Sequence, residues 1–423
     1  MIKLNRCKRC CKIDTLGERI RELRKQKKMT LEGLAGNVIT KGMLSLIENN
    51  KARPSIESLT HIAEQLEVDV TVLLGAIPPY HFGEVLEEVE TLFNVEFDQK
   101  TNEYKKIISI IEPLLDKLNQ GYESARLLEI MSRCLYHEGK DGWRETSDKA
   151  AQLYDQMNLC PRRAEIALFR SMVRFTEHNY SNSLEILLHE RAEIESKYAY
   201  IDPMTHVDLD FHEAILHFAV GDFKSATKIM ESAMDYSKEH RIFYRIDDLY
   251  RVAAGHALMF NNDEKRVFYL KKLKQYGEFA DDKNSLIFCD LLNIEYLVMN
   301  HKYEDAIKEI DSHLKDSNLT EFYEQFFFLE KAKALFGLKQ YENVLHLLDK
   351  ISVPFYLHHP FDLSIFYVAD SYKARCYMEL GNLDKALVLA ELAVKNIDPL
   401  PDTHYKDFSF ETYELVKKKL RDK

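Results

Sequence analysis

The chain has 423 residues, 30% of them charged, a net charge of −11, and few glycines (14) or prolines (10). That length allows two or more domains, and so little Gly and Pro argues for a nearly all-α chain. No run of about 18 apolar residues is present to span a membrane, and seven mostly scattered cysteines suit reduced thiols in a cytoplasm better than a disulfide framework.

Residues 1–14, with Cys7, Cys10 and Cys11 among five basic residues, read as a disordered basic arm. Cys7-x-x-Cys10 lacks a second ligand pair at finger spacing, so no metal is implied, and without an apolar core the stretch is no signal peptide. Residues 15–75 carry helical periods throughout. Ile20, Leu23 and Arg24 share one face of a first helix that runs out at Lys28. Thr30 opens a second helix with Leu31, Leu34 and Ala35, and Thr40 caps a third in which Leu44 and Ile47 face inward. Ser55, after Arg53-Pro54, caps a fourth with Leu59, Ile62, Ala63 and Leu66 buried, and Val70 to Leu74 is a short closing turn. Helix, turn and helix in this order lay one helix in a DNA major groove. Charge agrees: residues 1–75 hold 14 Lys+Arg against 9 Asp+Glu, and the remainder 44 against 60. A basic head on an acidic body is what a phosphate-seeking module on a non-DNA scaffold would show.

LGERIRELRKQKKMT, the following LA, S-x-I-E and the Pro-Ser after it resemble the repressor-type helix-turn-helix of phage repressors. The turn is one residue tighter than is usual there, and Leu31 and Leu46 stand where a glutamine and an arginine are common. The resemblance implies that Arg24 pairs with Glu48, tying the first helix to the third. DNA contact is expected from Thr40, Lys41, Ser45 and Asn49 on the third helix, with Lys51 and Arg53 on phosphates.

Pro78-Pro79 ends any helix, which makes 76–83 a linker. From 84 to 423 the chain is helix after helix, and one turn recurs: Gly221-Asp-Phe-x-x-Ala226, His301-Lys-Tyr-x-x-Ala306, Lys339-Gln-Tyr-x-x-Val344 and Gly381-Asn-Leu-x-x-Ala386. This pattern resembles the tetratricopeptide repeat. Taking Ser147, Tyr180, Phe223, Glu264, Tyr303, Tyr341 and Leu383 as equivalent, the spacings are 33, 43, 41, 39, 38 and 42, which makes the repeats stretched and degenerate. A right-handed superhelix of such hairpins is expected, its concave face lined by the first helix of each pair and its end capped by Glu411 to Leu420.

No P-loop, nucleophile elbow or Rossmann glycine fingerprint is present, so neither an enzyme nor a cofactor is implied. His206, Asp208, Asp210 and His212 read as a polar helix face with incidental histidines, and His358-His359 as a solvated loop dipeptide. The 23 Tyr and 23 Phe read as repeat packing.

A repressor-type head, a brief linker and seven or more stretched repeats together resemble the RNPP family of quorum-sensing regulators, its NprR-like members in length and repeat count. The resemblance implies a short signalling peptide in the concave groove, a homodimer or tetramer switched by that peptide, and in some members a bound response regulator of the sporulation phosphorelay. Groove-facing positions are expected at Arg126, Arg245, Arg251, Asn293, Lys333, Tyr367 and Arg375. The amide and hydroxyl would serve the peptide backbone, and arginine forks a carboxylate, with Arg126 foremost. The second reading is an interaction protein of the related Rap type, whose repeats capture a response regulator and whose head is accessory.

Overall fold

The computed structural model describes residues 16–52, 54–68, 70–73, 82–95, 102–316 and 319–422. The basic arm, Arg53 and the linker up to 81 lie outside the described residues. Among the described residues there are twenty-two α-helices, one 3-10 turn and no strand, and the chain divides into two compact units, one up to Leu118 and one from Asn119.

The N-terminal unit begins with five short helices, α1 (Leu16–Gln26), α2 (Leu31–Ala35), α3 (Lys41–Glu48), α4 (Ile56–Gln65) and α5 (Val70–Leu73). Their starts are set by hydroxyl caps. Thr30, Thr40 and Ser55 accept from the backbone N–H groups of Gly33, Met43 and Ser58 at 3.0, 3.1 and 3.2 Å. Ile20, Leu34, Leu44, Ile62 and Leu66 are fully buried in one core, each contributing roughly 1.5–3 kcal/mol over an exposed side chain. α1 lies so close to α3 that a Cβ on Gly17 would sit 2.3 Å from the Ile47 carbonyl oxygen. The same unit holds α6 (Phe82–Phe93), α7 (Glu103–Ile111) and a 3-10 turn over Glu112–Lys117, which the sequence counted with the repeats.

The second unit is seven tetratricopeptide-like hairpins and a final helix. The pairs are α8 (Gly121–His137) with α9 (Trp143–Gln156), α10 (Cys160–Thr176) with α11 (Tyr180–Lys197), and α12 (Pro203–Ala219) with α13 (Phe223–His240). They continue as α14 (Ile246–Met259) with α15 (Asp263–Ala280), and α16 (Lys283–Met299) with α17 (Tyr303–His313). The last two are α18 (Glu321–Gly337) with α19 (Tyr341–Leu348), and α20 (Pro360–Glu379) with α21 (Leu383–Ile397). Each second helix packs on the first helix of the next pair. Tyr180, Phe223, Tyr303, Tyr341 and Leu383 are the first residues of second helices and Glu264 the second residue of one, whereas Ser147 falls inside α9. The recurring turn places one residue in the left-handed region, at Gly221 (φ 82°) and Gly381 (φ 81°) but also at His301 (φ 59°) and Lys339 (φ 60°). Two non-glycine residues at that position are why the glycine signature of the repeat is faint.

The capping helix α22 (His404–Arg421) starts seven residues before Glu411, because Thr403 caps it through the Lys406 N–H at 3.3 Å. The stack also closes on itself. The strap leading into α20 crosses to the second and third hairpins, where Tyr180 donates from its hydroxyl to the His358 carbonyl at 2.7 Å. The His358 and His178 rings meet at 3.4 Å, and the His359 ring lies 3.4 Å from the Ile215 carbonyl. His358-His359 is therefore part of a wall and not a solvated loop. His359 also accepts from Phe361 N–H through Nδ1, which caps α20 and leaves its Nε2 to donate to Ile215.

Candidate functional site

In the N-terminal unit, α3 is held by α1 through an ion pair. Arg24 grips Glu48 with Nε at 2.6 Å and a terminal nitrogen at 2.8 Å, and its other nitrogen donates to the Met29 carbonyl at 3.0 Å. Glu48 is 4% exposed, so the two-pronged pair stands where water scarcely reaches. The outer face of α3 is left to Lys41, Met43, Leu46 and Asn49, with Ser45 half-buried between them. Thr40 is exposed at its start as the cap. Lys41 reaches back to Glu32 at 2.8 Å, and Asn49 caps the helix end through the Ser45 carbonyl at 2.7 Å. Lys51 follows, exposed. The expected DNA-contacting set thus lies together on one end and one face, Arg53 alone falling outside the described residues.

The repeat unit holds a cavity of about 490 Å³, and the first helices of six successive hairpins, α10 to α20, converge on it together with the strap. Its lining is mainly aromatic and aliphatic, including Phe175, Phe211, Phe218, Phe288, Phe326 and Tyr356. Polar groups are few. His212 donates through Nδ1 to the Asp208 carbonyl at 2.8 Å, leaving Nε2 as an acceptor. Burial pushes His256 and His359 down to about 4, so both are neutral. Burial pushes the Asp362 carboxyl up to about 6. Glu330 is 3% exposed and pairs with Lys333 at 2.6 Å; Lys333 also donates to the Tyr405 hydroxyl at 3.3 Å, which donates to Glu295. Burial, opposed by Lys333, pushes Glu330 up to about 7.

Of the seven groove residues expected from the sequence, Arg251 lines this cavity and the other six do not. Arg251 is itself held by Asp282 at 3.2 Å and Ser285 at 3.0 Å. Arg126 is buried against Glu129 at 2.9 Å in a network with Arg133 and Tyr154. Arg245 pairs with Asp208 and Asp248 behind the Phe211 ring. Asn293 is exposed and accepts from Arg266. Lys333 belongs to the Glu330 cluster, behind the lining. Arg375 is covered by α22, donating to Thr412 at 2.7 Å over the ring of Phe408, which the early start of that helix brings in. Tyr367 packs against the cluster of Leu357, Phe366 and Tyr405. The physical reason is common to the cations: in a body so rich in carboxylates each finds one, Arg126 and Lys333 one turn along their own helices and Arg245, Arg251 and Arg375 on a neighbouring helix. Glu295, Glu330 and Asp362 were not singled out, since nothing local marks three acidic residues among so many.

The order of short helices and the caps that set them point to one module. Residues 17–75 match the family described as "Helix-turn-helix domain". The head is a helix-turn-helix domain. No curated protein matches the chain. Among solved structures the chain is similar to PlcR of Bacillus thuringiensis, determined in complex with the peptide PapR7 and DNA, at 16% identity over 70% of this chain and 99% of that one, TM-score 0.29. It is similar to the SHP pheromone receptor Rgg2 of Streptococcus dysgalactiae at 15% identity over 64% and 97%, TM-score 0.30. A tetratricopeptide repeat protein of Parabacteroides merdae is similar at 11% identity over 74% and 98%, TM-score 0.41. No helix among the described residues is long and apolar enough to cross a membrane.

Proposed function

We propose that the protein is a peptide-responsive transcriptional regulator of the RNPP type. Its helix-turn-helix domain binds DNA, and the repeat cavity binds a short peptide. The observation that carries the reading is the cavity itself: about 490 Å³, apolar, and built from six hairpins at once. That size falls within the roughly 300–1,000 Å³ of small-molecule sites, and the aromatic lining suits a few apolar side chains. A ligand there touches both the strap and the first helices, so it can bias how the stack closes between His358 and Tyr180. On the DNA side, α3 offers Lys41, Ser45 and Asn49, and a homodimer or tetramer would present two such helices to half-sites about one turn apart. The protein acts in the cytoplasm, where DNA and an imported peptide meet.

An electrophoretic shift of the DNA upstream of the gene by the full chain, with and without synthetic versions of the short peptides encoded beside it, tests the reading. A peptide-dependent change in shift supports it. A chain that binds the DNA identically whatever peptide is added, or binds no DNA, overturns it.

A further inference from the structure

The cavity is apolar overall, yet its few charges do not balance. Glu330 offers Oε1 to Lys333 at 2.6 Å, while its buried Oε2 has no hydrogen-bond partner among the described residues. Glu295, on the neighbouring first helix, faces the same corner and receives the Tyr405 hydroxyl. Glu330 thus pairs with the Lys333 ammonium, and the Glu295 carboxylate lies near enough to act on both. Across the cavity, no cation among the described residues stands beside Asp362. Among the described lining residues the one guanidinium is Arg251, whose charge is matched by Asp282 and, at 3.7 Å, Asp247. The histidines do not make up the difference, since burial keeps His256 and His359 neutral. A buried, half-satisfied carboxylate is costly in the empty cavity, and it is a strong acceptor for a charge brought by a ligand.

We propose that this corner receives a cationic group of the bound peptide, a primary ammonium or a guanidinium, on Glu330 with Glu295 beside it. The proposal rests on the peptide reading above and adds the chemistry that the peptide must carry. The apolar lining then selects the neighbouring side chains, while the charge fixes which end or which residue lies between α16 and α18. An apolar peptide without a cation would fill the cavity but leave the Glu330 oxygen unpaired, and that difference gives specificity.

The test uses the immobilised full chain and three heptapeptide pools randomised over Leu, Ile, Val, Phe, Tyr and Ser. The first has a free amino terminus. The second is N-acetylated, and the third is N-acetylated with one lysine or arginine placed at each position in turn. Retention of the first or third pool about tenfold or more above the second is expected, with the preference lost in Glu330→Gln. Glu295→Gln should weaken the same preference, and it serves if the first variant melts early. Retention of the first pool alone assigns the amino terminus, and of the third alone a side chain. Equal retention of all three pools, unchanged in both variants, would overturn the cation while leaving the peptide reading intact. Retention of none would sink the receptor reading and the cation with it.

Discussion

The two units place their charges in opposite ways. In the helix-turn-helix domain the core is apolar, one ion pair is buried, and Lys41, Lys51 and Asn49 stand exposed. In the repeats the seams between hairpins carry the charge: Arg163 reaches Asp155, Glu190 and Glu193, and Arg170 reaches Glu190 and Asp148. There the surface of the cavity is apolar instead. The difference teaches that a cation in a carboxylate-rich solenoid is first a strut between repeats. In the head, where carboxylates are scarcer, a cation is left over for phosphate.

If seam arginines are struts, removing one should cost more than breaking the head's buried Arg24–Glu48 pair. Arg163 is 2% exposed with three carboxylates in reach, so Arg163→Ala should destabilise the chain by about 4 kcal/mol. Denaturant unfolding of the repeat transition measures it; a loss under about 1 kcal/mol would mean that the seam charges are ornament. Arg24→Ala follows, at roughly 3 kcal/mol, because it strands Glu48 at 4% exposure and frees the Met29 carbonyl. Unchanged melting of the head would contradict this.

The head was legible because its determinants are local. Thr30, Thr40 and Ser55 cap helices within three residues of themselves, and Leu44 and Ile47 mark a face by spacing alone. The repeat register was legible for the same reason, since Tyr180 or Phe223 announces its helix from inside one turn. The cavity was not. Its wall depends on His358 meeting Tyr180 across 178 residues, and on Tyr405 meeting Glu295 across 110. Arginines picked as peptide anchors are paired with partners such as Asp282 or Thr412, some 31 or 37 residues on, which no local period reveals.

Asp362 sharpens the contrast from the cavity side, where a half-buried carboxylate has no strut among the described residues. Burial raises its folded pKa to about 6, above the ordinary value near 3.9. A raised acid binds its proton more tightly when folded, so it costs stability above about pH 6 and nothing below the unfolded value. Asp362→Asn should therefore stabilise the chain by up to about 2 kcal/mol at pH 8. That gain should fade as pH falls through 6 towards 4. A gain independent of pH, read from denaturant midpoints across that range, would show that the carboxyl is solvated.

The smallest effect on stability is expected at the head's surface, where it matters most for DNA. Lys41 is 59% exposed and its partner Glu32 is 72% exposed, so the pair is worth little, and Lys41→Ala or Lys51→Ala should shift unfolding by no more than about 0.5 kcal/mol. Binding should respond quite differently. A lysine on a phosphate acts by displacing condensed counterions, so each substitution should flatten the plot of log affinity against log salt by about one unit. The loss should be equal on specific and random duplexes, because phosphate carries no sequence. Glu32→Gln separates the two roles of Lys41: releasing the ammonium from its carboxylate should leave the slope intact and raise affinity at low salt. If Lys41→Ala, Lys51→Ala and Glu32→Gln all left affinity and slope unchanged while the chain still bound DNA, α3 would not be the helix in the groove.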